Sequence, residues 1–133
     1  MSSHGRDILE RPRPRVLVLG RDAVGSSLVG ALVETLGYDV RFARPPESGG
    51  DALRRVRPQL CLLDAADAIL VGDEFLGRAA MRGVVVVVFG TEQSLERRRD
   101  AIRSHHLGTL VLPPDVPTLE RTLESALRRA LAD

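Results

Sequence analysis

Asp64 closes an apolar run, Pro58-Gln59-Leu60-Cys61-Leu62-Leu63-Asp64. Such a run fits a strand buried on both faces, as in a parallel sheet. Its C-terminal carboxylate then lies where open parallel sheets keep their ligand crevice. A second stretch with chemical capacity is Gly20-Arg21-Asp22-Ala23-Val24-Gly25-Ser26-Ser27, which meets the spacing of a phosphate-binding loop. Ser26 stands where that loop needs lysine. Asp22 fills the middle-glycine place of the dinucleotide pattern, where a side chain blocks the pyrophosphate and adds like charge. Small-nucleotide binding is therefore kept only as an alternative. Arg97, Arg98, Arg99 and Arg103, with His105 and His106 close by, form a basic run that reads as a solvated face or as a partner surface. Adjacent histidines on a helix diverge and no third ligand accompanies them, so no metal site is expected there. Asp73-Glu74 reads as a pair of helix-start charges rather than as acid-base machinery.

The totals bound what can position these groups. At 133 residues the chain is one domain, able to bury about two thirds of its unfolded surface. The single cysteine, Cys61, excludes an internal disulfide and a multi-cysteine zinc site, and a cytoplasmic location is the default expectation. Residues 1–14 combine Ser2, Ser3, Gly5, Pro12 and Pro14 with charges and no apolar core, so they read as a flexible tail preceding a domain over 15–133, and not as a leader or anchor. No segment approaches the roughly 18 apolar residues of a membrane helix. The net charge of +1 and the 3% aromatic content argue against direct nucleic-acid binding. All basic residues other than histidine are arginines; the chain has no lysine.

Strand and helix patterns alternate along the chain. Arg15 to Leu19 reads as a buried strand, and Ala23 to Leu36 as a helix with Val24, Leu28, Leu32 and Leu36 on its apolar face, stopped at Gly37. Tyr38 to Ala43 alternates like a half-exposed strand near a sheet edge, and Asp51 to Arg57 is a short helix packing through Ala52, Leu53 and Val56. After the Asp64 strand and a loop over Ala65 to Gly72, Asp73 is expected to cap a helix running through Arg82. Val84 to Phe89 is expected to be the most buried strand. A polar fourth helix, Ser94 to His106, has only Leu95, Ala101 and Ile102 for a core side. Thr109 to Leu112 is a fifth strand, closed by Pro113-Pro114. Asp115 and Pro117 start a last helix with Leu119, Leu123, Ala126, Leu127, Ala130 and Leu131 on one face. Five alternations with right-handed crossovers predict a doubly wound five-stranded parallel sheet of order 2-1-3-4-5, helices on both faces, with its switch point between strands one and three.

From Arg15 to about Ala132 the chain resembles a response-regulator receiver domain of CheY-like fold. The resemblance rests on the Pro58 to Asp64 run, Gly72 eight residues beyond Asp64, Leu36-Gly37 closing the first helix, and Pro114 after strand five. It implies that Asp64 matches the phospho-acceptor and Thr91 the hydroxyl that reports phosphorylation, with Gly90 or Phe89 fitting the strand length better. The acidic pair that holds a divalent cation in that family falls on Gly20 and Arg21, leaving Asp22 as the nearest acid, and the family's lysine falls on Pro113. Leu110 replaces the aromatic of strand five. Hard cations need carboxylate oxygens, so the resemblance points to a degenerate, or pseudo-receiver, variant. Arg21 could place a guanidinium against Asp64 where the cation would be, or it could point into water.

The reading taken is a non-enzymatic two-component signalling module acting through protein contact, with Mg²⁺-dependent aspartyl phosphorylation lost and no cofactor. Its partner surface, or a homodimer contact, would be the fourth helix, fifth strand and last helix, with Arg97, Arg98, Arg99 and Arg103 at its centre. The alternatives are a working phosphorelay receiver that uses Mg²⁺ and Asp64, and the nucleotide-binding protein considered above.

Overall fold

Apolar side chains alternate between the two faces of the central strands, and this decides the layering. The computed structural model describes residues 13–132. In chain order its elements are β1 (Arg15–Leu19), α1 (Ala23–Thr35), β2 (Asp39–Phe42), α2 (Gly49–Val56), β3 (Leu60–Asp64), α3 (Asp73–Met81), β4 (Val85–Gly90), α4 (Glu92–Arg97), α5 (Arg99–Ser104), β5 (Gly108–Val111) and α6 (Val116–Ala132). The strands form one parallel sheet of order β2-β1-β3-β4-β5, as the alternation predicts. Of the tail expected at residues 1–14, residues 1–12 lie outside the described ones; the Pro14 carbonyl accepts from the Asp39 amide at 2.9 Å.

One sheet face carries Leu17, Leu19, Cys61, Leu63, Val86 and Val88 against α2, α3 and Leu95 of α4. The other carries Val16, Val18, Leu60, Leu62, Val87, Phe89 and Leu110 against Val29 and Val33 of α1 and Leu119, Leu123 and Ala126 of α6. β3 is buried along its whole length. This corrects the expectation that β4 is the most buried strand: Val85, where β4 begins, is only half-covered.

The helices depart from the sequence reading in four places. In α1 the buried residues are Ser26, Val29, Gly30 and Val33; of the expected stripe Val24 and Leu28 are 79% and 54% exposed, whereas Leu32 and Leu36 are half-buried against the core, so only its first half faces away. The reason lies in β2. A methyl group added to Gly30 would sit 2.5 Å from Cζ of Phe42, so the helix lies closest to β2 at Gly30 and seats Val29 and Val33 beside it, leaving Val24 and Leu28 outside. The fourth helix is broken at Arg98 into α4 and α5. In α3 the N-cap is Gly72, with Asp73 inside the first turn. Leu131, expected on the core side of α6, is exposed. Gly37, at φ +98°, ends α1 in the left-handed conformation that favours glycine.

Candidate functional site

The C-terminal ends of β1, β3 and β4 bring together Asp64, the Gly20-Arg21-Asp22 turn and the Ala65 to Gly72 loop. Register pairs Asp64 with Phe89, and Leu19, just before Gly20, with Leu63. Asp64 is nearly buried, and its Oδ1 accepts the Ala66 amide at 2.9 Å. Gly20 lies directly against it. A methyl group on Gly20 would fall 2.7 Å from Cβ of Asp64, 3.2 Å from its Oδ2 and 2.9 Å from Oγ of Ser26. The Ser26 hydroxyl is itself buried without a hydrogen-bond partner.

Asp67 also belongs to this end of the sheet. It is as buried as Asp64, its Oδ1 accepts the Ile69 and Leu70 amides at 3.1 and 3.3 Å, and its Oδ2 lies 3.9 Å from Nε of Arg21. Arg21 is otherwise largely exposed. Crevices of about 490 and 420 Å³ open beside it. The guanidinium thus reaches toward Asp67, and no Arg21–Asp64 ion pair exists among the described residues. The Asp67-x-Ile69-Leu70 spacing of an Asx turn was readable in the sequence; its approach to Arg21 was not.

Asp22 caps α1. Its Oδ1 accepts the Val24 amide at 3.1 Å, and its Oδ2 lies 3.0 Å from where a Gly25 side chain would begin. A carboxylate thus occupies the helix N-terminus that a bound phosphate would need. Thr91 lies one residue beyond β4 and is exposed; its Oγ1 accepts the Ser94 amide at 3.1 Å as the cap of α4. The strand itself ends at Gly90. Pro113 is exposed and brings no cation to this end. The basic run divides: Arg98 is half-buried with its Nε donating to the Ala65 carbonyl at 2.8 Å, Arg99 pairs with Glu96 at 2.9 Å, and Arg97 and Arg103 are exposed.

The donor set does not suit a hard divalent cation. Gly20 has no side-chain oxygen and no room for one, Arg21 brings positive charge, and Asp22 is committed to its cap. Among the described residues no three His, Cys, Asp or Glu side chains converge on one point. Glu47, which lines the same two crevices as Arg21, is held by Arg55 through Nε and Nη2 at 2.7 and 2.8 Å and by the Arg44 amide at 2.9 Å, and its carboxyl is driven down to about 2 by the Arg55 bonds first.

No family model matches the chain. The transcriptional regulatory protein ZraR of Escherichia coli is 32% identical over 117 residues, an alignment covering 84% of this chain and 26% of that protein. The chain therefore spans about a quarter of the length of the curated relatives it matches. Among solved structures, the signal receiver domain of a modulated diguanylate cyclase from Desulfovibrio desulfuricans superposes with a TM-score of 0.74 at 23% identity, over 91% of this chain and 99% of that one. The chemotaxis protein CheY4 of Vibrio cholerae gives 0.70 at 22% identity, over 86% and 99%. The structural neighbours are response-regulator receiver domains, and the fold of this chain is theirs.

Proposed function

We propose that this chain, built on the receiver fold, is a two-component signalling module that works through protein contact and has lost Mg²⁺-dependent phosphorylation of Asp64. The observation that carries this reading is the contact of Gly20 with Asp64. The place where an acidic ligand's Cβ would stand is closed by Asp64 itself, so the loss reaches beyond side-chain identity to the spacing of the strand ends. The absence of any lysine supports the same reading, because no other side chain supplies its compact ammonium.

In this reading Asp64 is a retained structural carboxylate holding the turn at Ala66, and Thr91 is a helix cap rather than a switch. Partners dock on α4, α5, β5 and α6, where Arg97, Arg99 and Arg103 supply the exposed charge and Arg98 links that face to the Asp64 turn. The domain acts in the cytoplasm, in keeping with the absence, among the described residues, of any helix long and apolar enough to cross a membrane.

The test is an amide NMR spectrum recorded before and after adding Mg²⁺ with beryllofluoride, a mimic of an aspartyl phosphoryl group. An unchanged spectrum from a folded sample is the expected result. Shifts at Asp64, Thr91 and β5 that disappear in Asp64→Ala would overturn the reading in favour of a working phosphorelay receiver.

A further inference from the structure

The groove between α2 and α3 lies apart from the α4–α5 arginines and adjoins the Asp64 end, its inner part sharing Ser48, Gly49, Ile69 and Leu70 with the crevice beside Arg21. Two adjoining crevices form it, of about 330 and 180 Å³, sharing Gly50 and Arg78. α2 starts close to its neighbours there: a methyl group on Gly49 would sit 2.6 Å from Cδ2 of Leu70 in the loop before α3, and one on Gly50 would sit 2.9 Å from a guanidinium nitrogen of Arg78 in α3. Leu53 lines the outer crevice and Phe75 the inner one.

Large apolar side chains stand unburied at both ends. Ile69 is 74% exposed beside the inner crevice and Met81 is 90% exposed beside the outer one. The helix between them, nine residues long, spans about 13 Å at 1.5 Å per residue. Arg54, Arg78 and Arg82 line the outer crevice and no acidic residue does. Arg54 and Arg78 pair along their own helices with Asp51 and Glu74, whereas Arg82 has no ion-pair partner among the described residues.

We propose that the α2–α3 groove docks an acidic amphipathic helix of a partner protein, its apolar side chains seated between Ile69 and Met81 and its carboxylates on Arg54, Arg78 and Arg82. An amphipathic helix laid in an apolar groove is a recurring recognition mode, and a flexible methionine suits such a surface. Charge decides among occupants. A second copy placed by a twofold axis would bring the same face, on which Asp51 and Glu74 are already paired with Arg54 and Arg78, and so would offer no free carboxylate to Arg82. Residues 1–12 of this chain carry Arg6 and Arg11 against Asp7 and Glu10, and so have no net charge from these side chains to offer the groove. An acidic partner satisfies both the apolar ends and the cationic rim. Because Ile69 and Leu70 donate to Asp67, the docked helix also touches the loop that leads away from Asp64.

The probe is a capped peptide of about 16 residues, long enough for a stable helix, with leucine along one face and glutamate on the others; its control carries lysine for glutamate. Fluorescence anisotropy reads affinity and amide NMR reads location. The expected result is saturable binding of the glutamate peptide with shifts at Gly50, Ile69, Arg78 and Met81. Met81→Asp and Arg82→Glu, both at exposed positions, should each weaken it about tenfold with an unchanged unfolding midpoint. No saturable binding, equal binding of the lysine peptide, or shifts centred on α4 and α5 would overturn the proposal. So would a dimer in sedimentation that Met81→Asp dissociates, which would assign the groove to a second copy.

Discussion

Arg98 donates through Nε to the carbonyl oxygen of Ala65 at 2.8 Å, tying the break between α4 and α5 to the residue that follows Asp64. The arginine lies 33 positions along the chain from its acceptor. A bond from a charged donor in a half-buried setting is among the stronger hydrogen bonds a protein makes.

Arg98→Ala removes that bond and leaves the Ala65 carbonyl to water. Its expected cost is about 1–3 kcal/mol in urea unfolding. Amide shifts should appear at Ala65 and Ala66 as well as around position 98. Arg97→Ala, at an exposed neighbour, should change stability by less than about 0.5 kcal/mol. Equal effects from the two would mean that the bond carries no weight.

Gly20→Ala forces a methyl group against Asp64 and Ser26, so the ends of β1 and β3 must separate. Overpacking of this kind costs about 1–3 kcal/mol. Placing an acidic pair at this turn with Gly20→Asp and Arg21→Asp meets the same obstacle. The double variant should unfold at lower denaturant and should not gain the Mg²⁺ affinity of a working receiver, as read by calorimetric titration.

Glu47 is held well below its ordinary value of 4.5, at about 2, first by the Arg55 guanidinium and then by the Arg44 amide. A depressed carboxyl contributes stability that is complete above its unfolded pKa and lost as pH falls through the folded one. The wild-type chain should therefore lose part of its stability between pH 4.5 and pH 2 through this group. Arg55→Ala should flatten that portion of the stability curve. Identical pH profiles for both proteins would show that the pair does not act in solution.

Cys61 is fully buried in β3, and loss of solvent pushes its thiol upward, away from the reactive thiolate. A thiol-reactive dye should leave the folded protein unlabelled for as long as it stays folded and label it fully in urea. Rapid labelling of the native protein would contradict the burial of β3.

In α1, Leu28→Ser should be nearly neutral, whereas Val29→Ala and Val33→Ala should each cost about 1–3 kcal/mol by opening space against β1 and β2. The reverse ranking would restore the helical face expected from the leucine spacing.

That last pair marks where the sequence stops being sufficient. The run from Pro58 to Asp64, the valines of β4, the arrest at Gly37 and the alternation of elements are local features. They determined the strands, the parallel sheet and its 2-1-3-4-5 order, because strand period and crossover handedness act within a few tens of residues. That the chain has no lysine, and that Gly20 and Arg21 follow the first strand, was also open to reading, since it concerns residue identity alone. The face that α1 buries, the break at Arg98 and the closing of Gly20 onto Asp64 depend on partners brought close only by folding: Phe42 under Gly30, the Ala65 carbonyl under Arg98, and Asp64 under Gly20. Close packing decides such contacts by tenths of an ångström, a scale to which residue spacing along the chain is blind.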